Sequence, residues 1–561
     1  MSRFNTRNAR PAATSPVTTT GAAARTAEGA TGHLRDDRSE LFLLAVANTV
    51  GTDTFYEKAD DRDDRYRQLV RKLAVEDPDW TAALLRWLRT EGNLRTASLV
   101  GAVEYVHARL AAAGSRTPRQ HETHDRAGRW EGDALSYSTS TNRAVVASVL
   151  QRADEPGELL AYWTSRFGRN IPKPVKRGIE DAVGQLYTER ALLKYDSPSK
   201  GFRFGDVLEL THPSPKAAWQ GDLFKHAIDR RHNRDNPIPE ALGTLHARAF
   251  LDTILAEERR AYLKTSGAQL ALKDAGMTWE SLAGWLQGPL GAAEWESVIP
   301  SMGYMALLRN LRNFDQAGVS DEVAEQVAAR LADPAEVARS RQFPFRFWAA
   351  HKHVTSLRWG HALEKALTAS LANVPVLPGR TLILVDRSPS MFPGYHYSTA
   401  NTSDIPLAEQ AALFGSALAL RAADPTLVEF GGSSRQIPVP RGGSVLRLME
   451  AFGQDGGTDI PSAVAKHYRG HDRVLIVTDE QTQPGYLPSN MLAYGGARET
   501  AIDDLIPRSV PVYMWNMAGY KAGAMASGSG NRHALGGLTD SAFALIPLLD
   551  AGRNADWPWT K

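Results

Sequence analysis

The chain has no cysteine. That excludes disulfides, zinc–thiolate sites and cysteine nucleophiles, and it fits an intracellular, cytoplasmic protein. No apolar run reaches the ~18 residues of a membrane span. The N-terminus lacks the apolar core of a secretion signal, so no membrane is expected among the partners. Charge of one sign is also scarce. Lys and Arg number 65 against 63 Asp and Glu, a net charge of +2, so any nucleic-acid contact must be a local patch. No GxSxG nucleophile elbow and no P-loop occurs. What is present is ordinary globular material, 43% apolar and 23% charged over 561 residues. By length alone it holds roughly three or four domains, although a repeat array would count as one.

The most informative stretch is Thr381–Met391, TLILVDRSPSM. An apolar run, Leu382–Val385, ends in Asp386, and Ser388 and Ser390 alternate after it. A buried strand thus delivers one carboxylate and two hydroxyls to a loop at its C-terminal end. In open α/β sheets, ligands bind outside that end. Hard, mostly neutral oxygens suit Mg²⁺ or another small divalent cation, which keeps several waters. Two later segments extend the set: Gly456-Gly457-Thr458-Asp459, a glycine turn presenting Thr458, and Arg473–Asp479, RVLIVTD, a second apolar strand ending in Asp479. In order and spacing, Asp386, Ser388, Ser390, Thr458 and Asp479 resemble the metal-ion-dependent adhesion site of von Willebrand factor A domains. The usual Gly before the last Ser is Pro389 here. A phosphatase of the aspartyl-nucleophile type wants a second carboxylate two residues after Asp386, and Ser388 stands there instead. The site therefore reads as binding chemistry, with one metal position left for a partner's acidic side chain.

Residues 1–34 are rich in Ala, Thr, Arg and Gly, with Glu28 the single acid before Asp36. They read as a disordered tail, or alternatively as an organelle transit peptide. From residue 35 to 372 the pattern is helical. Tyr66, Leu69, Val70 and Leu73 share one helix face, and Asp77-Pro78 signals a helix start before Leu84, Leu85, Trp87 and Leu88. Short breaks such as Glu155-Pro156-Gly157 and Asp333-Pro334 recur. Helices of about 12 to 20 residues joined this way suggest an irregular helical-repeat array. Residues 112–142 form a polar loop too long for a simple connection. From 373 to 561, strand-like runs at Thr381–Val385, Leu427–Phe430, Val474–Val477 and Val510–Trp515 alternate with helical stretches. That is a doubly wound, Rossmann-like α/β domain.

Cationic groups gather in Arg169–Arg177, RNIPKPVKR. Arg169, Lys173, Lys176 and Arg177 would align on one helix face, with Pro174 tolerated in its first turn. Lys194, Arg203 and His212 follow. Such a cluster suits phosphate oxygens and a salt-sensitive affinity. On charge alone the solvated helix face is the better reading.

Several pieces resemble the TROVE-domain, or Ro autoantigen, family: Glu40–Val50, Arg152–Trp163, Leu193–Pro215, Met302–Phe314 with its LLRNL, and Ser340–Ala349 with its SRQFP. The resemblance implies a monomeric ring of HEAT-like helical pairs closed by a von Willebrand A domain. It implies a non-catalytic RNA-binding protein. Structured Y-like noncoding RNA would bind on the basic outer surface, and single-stranded 3′ ends of misfolded RNA in the central hole. Cooperation with an exoribonuclease such as polynucleotide phosphorylase in RNA quality control is a further implication. By family position, Lys173, Lys176, Arg177 and Lys194 would meet phosphates outside. Arg309 and Arg341 either face the hole or are buried packing arginines. Where animal members read roughly GWSHKD, this chain has Gly201–Asp206, GFRFGD, which puts Phe204 in place of the His beside Arg203. His212 either touches RNA or caps a helix. Two other readings stay open: a metal-dependent protein-docking module without RNA, and a metal-dependent hydrolase, which needs a general base near Asp386.

Overall fold

The computed structural model describes residues 12–47, 50–114, 142–342, 344–354, 356–372, 374–392, 406–486, 499–537 and 540–560. Most of the long loop at 112–142 lies outside them.

The body is an array of α-helices running from Asp37–Val46 to Gly360–Ser370. Local chemistry sets its elements. In Pro78–Thr90 the Asp77 side chain accepts from the Trp80 amide at 3.4 Å, and Pro78 opens the first turn. In Lys173–Leu186 the buried residues Val175, Ile179, Ala182 and Val183 recur at helical spacing, which turns the other face outward. Among the described residues no helix is long and apolar enough to cross a membrane.

The C-terminal domain is a six-stranded mixed sheet. Its strands are β3 (Leu377–Asp386), β4 (Ala422–Phe430), β5 (Ser434–Ile437), β6 (Arg473–Thr478), β7 (Val512–Asn516) and β8 (Arg532–Gly536). The order is β8-β7-β6-β3-β4-β5, parallel throughout except for β5. Residues Leu382–Val385 of β3 and Val474–Val477 of β6 are fully buried. They are covered on both faces, which is why they read as unbroken apolar runs. The strand order reverses between β3 and β6, so their carboxyl ends flank the crevice where ligands bind in such sheets.

One expectation is corrected. Residues 12–34 are not a flexible tail. Strands β1 (Thr19–Arg25) and β2 (Thr31–Arg35) form an antiparallel hairpin, and β2 also pairs with Ala522–Gly523 of the sheet domain. The partner strand lies nearly 500 residues away, so local composition carries no trace of it.

Both ends of the helical array seat on the sheet domain. At the first end Gly519, at φ 66°, lies against Leu43 and Leu44, where a side chain would not fit. Arg62 donates to the Ala518 carbonyl and Arg65 to that of Gly519. At the last end Trp348 and Lys352 reach Glu409 at 2.7 and 2.6 Å. The C-terminal tail then returns to the first helices. Trp557 and Trp559 stack on each other and pack against Phe42 and Trp80.

Candidate metal centre and basic surface

Strand β3 carries Asp386 into a fully buried position. Its Oδ1 accepts from the Ser388 amide at 2.8 Å, and its Oδ2 accepts from the Thr478 hydroxyl at 2.5 Å. Ser388 and Ser390 hydroxyls lie 3.1 Å apart. Pro389 opens the short 3-10 turn Pro389–Met391. Its fixed φ suits a first helical position, so proline in the usual glycine place leaves the two serines converging. Asp479 follows β6, also fully buried, with Oδ1 accepting from the Gln481 amide at 3.0 Å. Thr458 is buried, and its carbonyl accepts from the Gln483 amide at 2.8 Å and the Thr482 hydroxyl at 3.0 Å. The same loop is tied to β4 through the Asp459 amide and the Gly431 carbonyl at 2.9 Å. All five motif residues thus gather at the carboxyl ends of β3 and β6.

The two carboxyls share a buried, poorly solvated space. Burial raises the Asp386 carboxyl above its usual range. Burial, and then the charge of Asp386, push Asp479 up to about 8. The charge of the neighbouring Arg387 opposes this rise only weakly, as the smallest of the causes acting on Asp386, while its guanidinium donates to the carbonyls of Ala408 (2.6 Å) and Gly453 (2.5 Å). Asp479 Oδ2 is buried and, among the described residues, lacks a donor at hydrogen-bond geometry, although the Ser390 hydroxyl acts on this carboxyl. An acceptor left without a donor in the interior costs free energy, and a hard divalent cation among these oxygens would satisfy it. Among the described residues no cluster of three or more His, Asp or Glu forms an alternative metal cage. A cation here would rest on two carboxylates, hydroxyls and water.

Sequence reasoning missed several residues at this site. Thr478 holds Asp386, and its signal lay in the VTD triplet, where only the Asp attracts attention. Buried Glu480 accepts from Arg35 at 2.5 Å and from Asn516 at 2.7 Å. Tyr56 comes from a loop of the helical array; its hydroxyl donates to Glu28, and the Ser390 hydroxyl and the charge of Asp479 act on it. Nothing in the sequence near Tyr56 announces this.

The basic residues divide into two groups. Arg169, Lys173 and Arg177 are exposed at or before helix Lys173–Leu186, and Lys176 is half-buried on it. Arg177 pairs with Glu180 at 2.8 Å. Arg169, Lys173 and Lys176 have no ion-pair partner among the described residues. Lys194, also exposed, sits 5.1 Å over the ring of Tyr195. Arg203 is a correction. It is buried, and its guanidinium is held by Asp196 at 2.6 and 3.3 Å, so it is not presented to a phosphate. Phe204, in the place of the animal His, is buried and stacked on Tyr187 at 3.8 Å. His212 caps helix Phe204–Thr211 from a left-handed conformation, φ 50°. Its ring is left exposed. Arg309 and Arg341 are both exposed, so neither is a buried packing arginine. Arg341 donates to the Thr90 carbonyl at 2.9 Å, joining segments 251 residues apart.

Comparison with known proteins agrees with this architecture. The TROVE domain family matches residues 260–373. Telomerase protein component 1 from Mus musculus is 43% identical over 68 residues, which cover 12% of this chain and 3% of that protein. The Rattus norvegicus protein gives the same figures. The chain thus spans a small fraction of the curated relatives it matches. The crystal structure of the Deinococcus radiodurans Ro (Rsr) protein superposes with a TM-score of 0.56 at 16% identity, covering 92% of this chain and 99% of that one. At that identity the likeness is one of fold. Residues 260–373 therefore match the TROVE domain family, and the chain shares the fold of that Ro protein.

Proposed function

We propose that this is a non-catalytic RNA-binding protein of the Ro type. The observation that carries the reading is the uncommitted charge around helix Lys173–Leu186. Elsewhere on the array Arg89, Arg95, Arg152, Arg203 and Arg230 are held by carboxylates. Among the described residues Arg169, Lys173 and Lys176 are not, and Lys194 extends the same basic stretch. Free cations grouped on one surface are what phosphate contacts require. In this reading the ligand outside is a structured, Y-like noncoding RNA. Arg309 and Arg341 serve single-stranded 3′ ends of misfolded RNA in a central hole. The protein works as a monomeric ring in the cytoplasm, beside an exoribonuclease.

The sheet domain, in this reading, is a von Willebrand A-like module. Asp386, Ser388, Ser390, Thr458 and Asp479 would hold Mg²⁺ or a similar ion, and the chemistry the ion supplies is attraction for an acidic group. This favours metal-dependent docking as the domain's task alongside RNA binding. It does not favour hydrolysis. The groups around Asp386 are hydroxyls, and the one guanidinium, Arg387, is turned away to backbone carbonyls.

The test is binding of a structured RNA with a single-stranded 3′ tail across a salt series. Lys176→Ala should lower the slope of log K against log salt by about one unit. An unchanged slope removes the patch from the RNA interface.

A further inference from the structure

A small recess lies at the far end of the basic helix. Tyr187 caps helix Lys173–Leu186 and is 1% exposed. Its ring stacks on Phe204 at 3.8 Å. Its hydroxyl is buried and has no hydrogen-bond partner among the described residues. Tyr187 and Phe204 line a recess of about 40 Å³, together with Gly157, Ala161, Tyr195 and Phe202. The space exists because small residues stand where a helix normally carries bulk. Gly157 and Ala161 are four residues apart and share one face of helix Glu155–Phe167, with Ala153 just before it. Gly157 also admits the Phe202 carbonyl, since a Cβ there would stand 2.8 Å from that oxygen. At the mouth Lys200 pairs with Glu158 at 3.3 Å, the two side chains being 40% and 33% exposed. So open a pair contributes little and is readily exchanged for another partner. Lys194 sits 5.1 Å over the ring of Tyr195, so the basic stretch runs to the rim.

Size and charge limit what fits. At ~10–15 Å³ for each water-sized group, the recess admits about three polar atoms. The acids around it are already matched: Asp154 is held by Arg152 at 2.6 Å, and Glu158 by Arg95 and Lys200. A charged ligand therefore finds no unpaired opposite charge inside. The orphan hydroxyl of Tyr187 calls for a polar partner, and the half-buried rings of Tyr195 and Phe202 suit a flat face. A pyrimidine base meets these demands together. It is neutral and flat, it carries three polar atoms along its Watson–Crick edge, and its own phosphate can reach Lys194 or Lys200 outside. Unpaired bases are read in RNA by such stacking and edge contacts. We propose that this recess takes the edge of one unpaired pyrimidine of the bound RNA, with the Tyr187 hydroxyl as its hydrogen-bonding partner. This rests on the RNA reading of the basic helix. It adds to that reading a subsite for a base, which phosphate contacts alone do not supply.

Three RNA hairpins test it on the full-length protein: one with a single bulged uridine, one with an abasic site at the bulge, and one with a bulged adenosine. The native protein should bind the uridine hairpin about tenfold tighter than the abasic one, the effect of one stacked base. Tyr187→Phe removes a hydroxyl that has no partner in the free protein, so the fold should stand. It should cut the preference to about threefold, as expected for one hydrogen bond. Gly157→Ala sets a methyl against the Phe202 carbonyl and narrows the recess, and should abolish the preference. Neither variant removes a cation, so both should keep the native salt slope, which a general loss of the RNA surface would not. Equal native affinities for the uridine and abasic hairpins overturn the proposal. So does a preference that survives Tyr187→Phe in full, and so does an adenosine bulge bound as tightly as uridine. If the native protein binds all three alike, with a salt slope that Lys176→Ala lowers, the RNA reading stands and the recess falls. If no hairpin binds, both fall.

Discussion

Replacing Asp479 by Asn should change stability in opposite directions with and without a divalent ion. The carboxyl of Asp479 is raised from 3.8 to about 8 by burial and by Asp386. The sign follows from linkage. A folded-state pKa above the unfolded one means the ionised form is disfavoured in the fold. The penalty is absent below about pH 4, grows as pH rises, and is complete above about 8. Four units at about 1.4 kcal/mol each give roughly 5 kcal/mol at the upper end. Asparagine removes that charge and keeps an Oδ1 for the Gln481 amide. Its Nδ2 replaces an oxygen that had no donor, and an unsatisfied amide costs about 1–3 kcal/mol. In chelator at pH 8.5 the variant should therefore be the more stable, by about 2–4 kcal/mol. Saturating Mg²⁺ should reverse the order. Binding stabilises the native protein by about 4.1 kcal/mol at a thousandfold excess over Kd, enough to offset the deficit of about 2–4 kcal/mol, and the variant has lost a charged ligand. Differential scanning calorimetry in EDTA and in Mg²⁺, at pH 6 and 8.5, reads all four conditions. If Mg²⁺ moves the unfolding of native protein and variant equally, or Asn destabilises in EDTA at pH 8.5, the cation-site reasoning fails.

Arg203→Ala leaves Asp196 buried without its main partner and should cost about 3–5 kcal/mol in denaturant unfolding. Because Arg203 is not on the surface, the same variant should keep the salt slope of RNA binding, opposite to Lys176→Ala. His533 is buried in β8, where burial lowers its pKa to about 4. The unfolded chain takes up a proton below about 6.5 and the folded one does not. Stability contributed by the neutral ring should thus be lost as pH falls from 6.5 to 4, by roughly 3 kcal/mol. Chemical denaturation across that range should show the loss in the native protein and a flatter profile in His533→Gln.

The convergence of Asp386 and Asp479 was legible because β3 and β6 are buried on both faces. Each reads as an apolar run, and a carboxylate at its end stands out. Order along the chain then supplied Ser388, Ser390 and Thr458. Arg203 misled for the reverse reason. Its charge is visible in the sequence, but the carboxylate that neutralises it, Asp196, lies seven residues back across a turn and is made a partner only by folding. Arg309 and Arg341 posed the same ambiguity between packing and exposure, which only burial decides. The hairpin was illegible for a third reason. TTGAAAR and TGHLR have weak strand character by themselves, and the strand that completes them is Ala522–Gly523. Contacts such as that between Tyr56 and Glu28 arise through these long-range pairings alone.

The same contacts explain why the helical array needs the sheet domain. Each helical pair of a repeat array buries its apolar face on its neighbours, so the terminal helices would leave apolar faces open to water. Here the first helix rests on Gly519, Gly536 and Gly537 of the sheet domain. The last helices rest on its Leu407–Arg421 helix through Trp348 and Lys352. The tryptophans of the C-terminal tail cover Phe42 and Trp80. One domain therefore caps both ends of the array. That leaves helix Lys173–Leu186, in the middle of the array, free of closing duties. Its cations are not consumed by a domain interface, and they remain available to a ligand. The metal centre sits on the opposite footing. It lies where the hairpin, the first loop of the array and the sheet converge, so whatever binds there must contend with residues from all three.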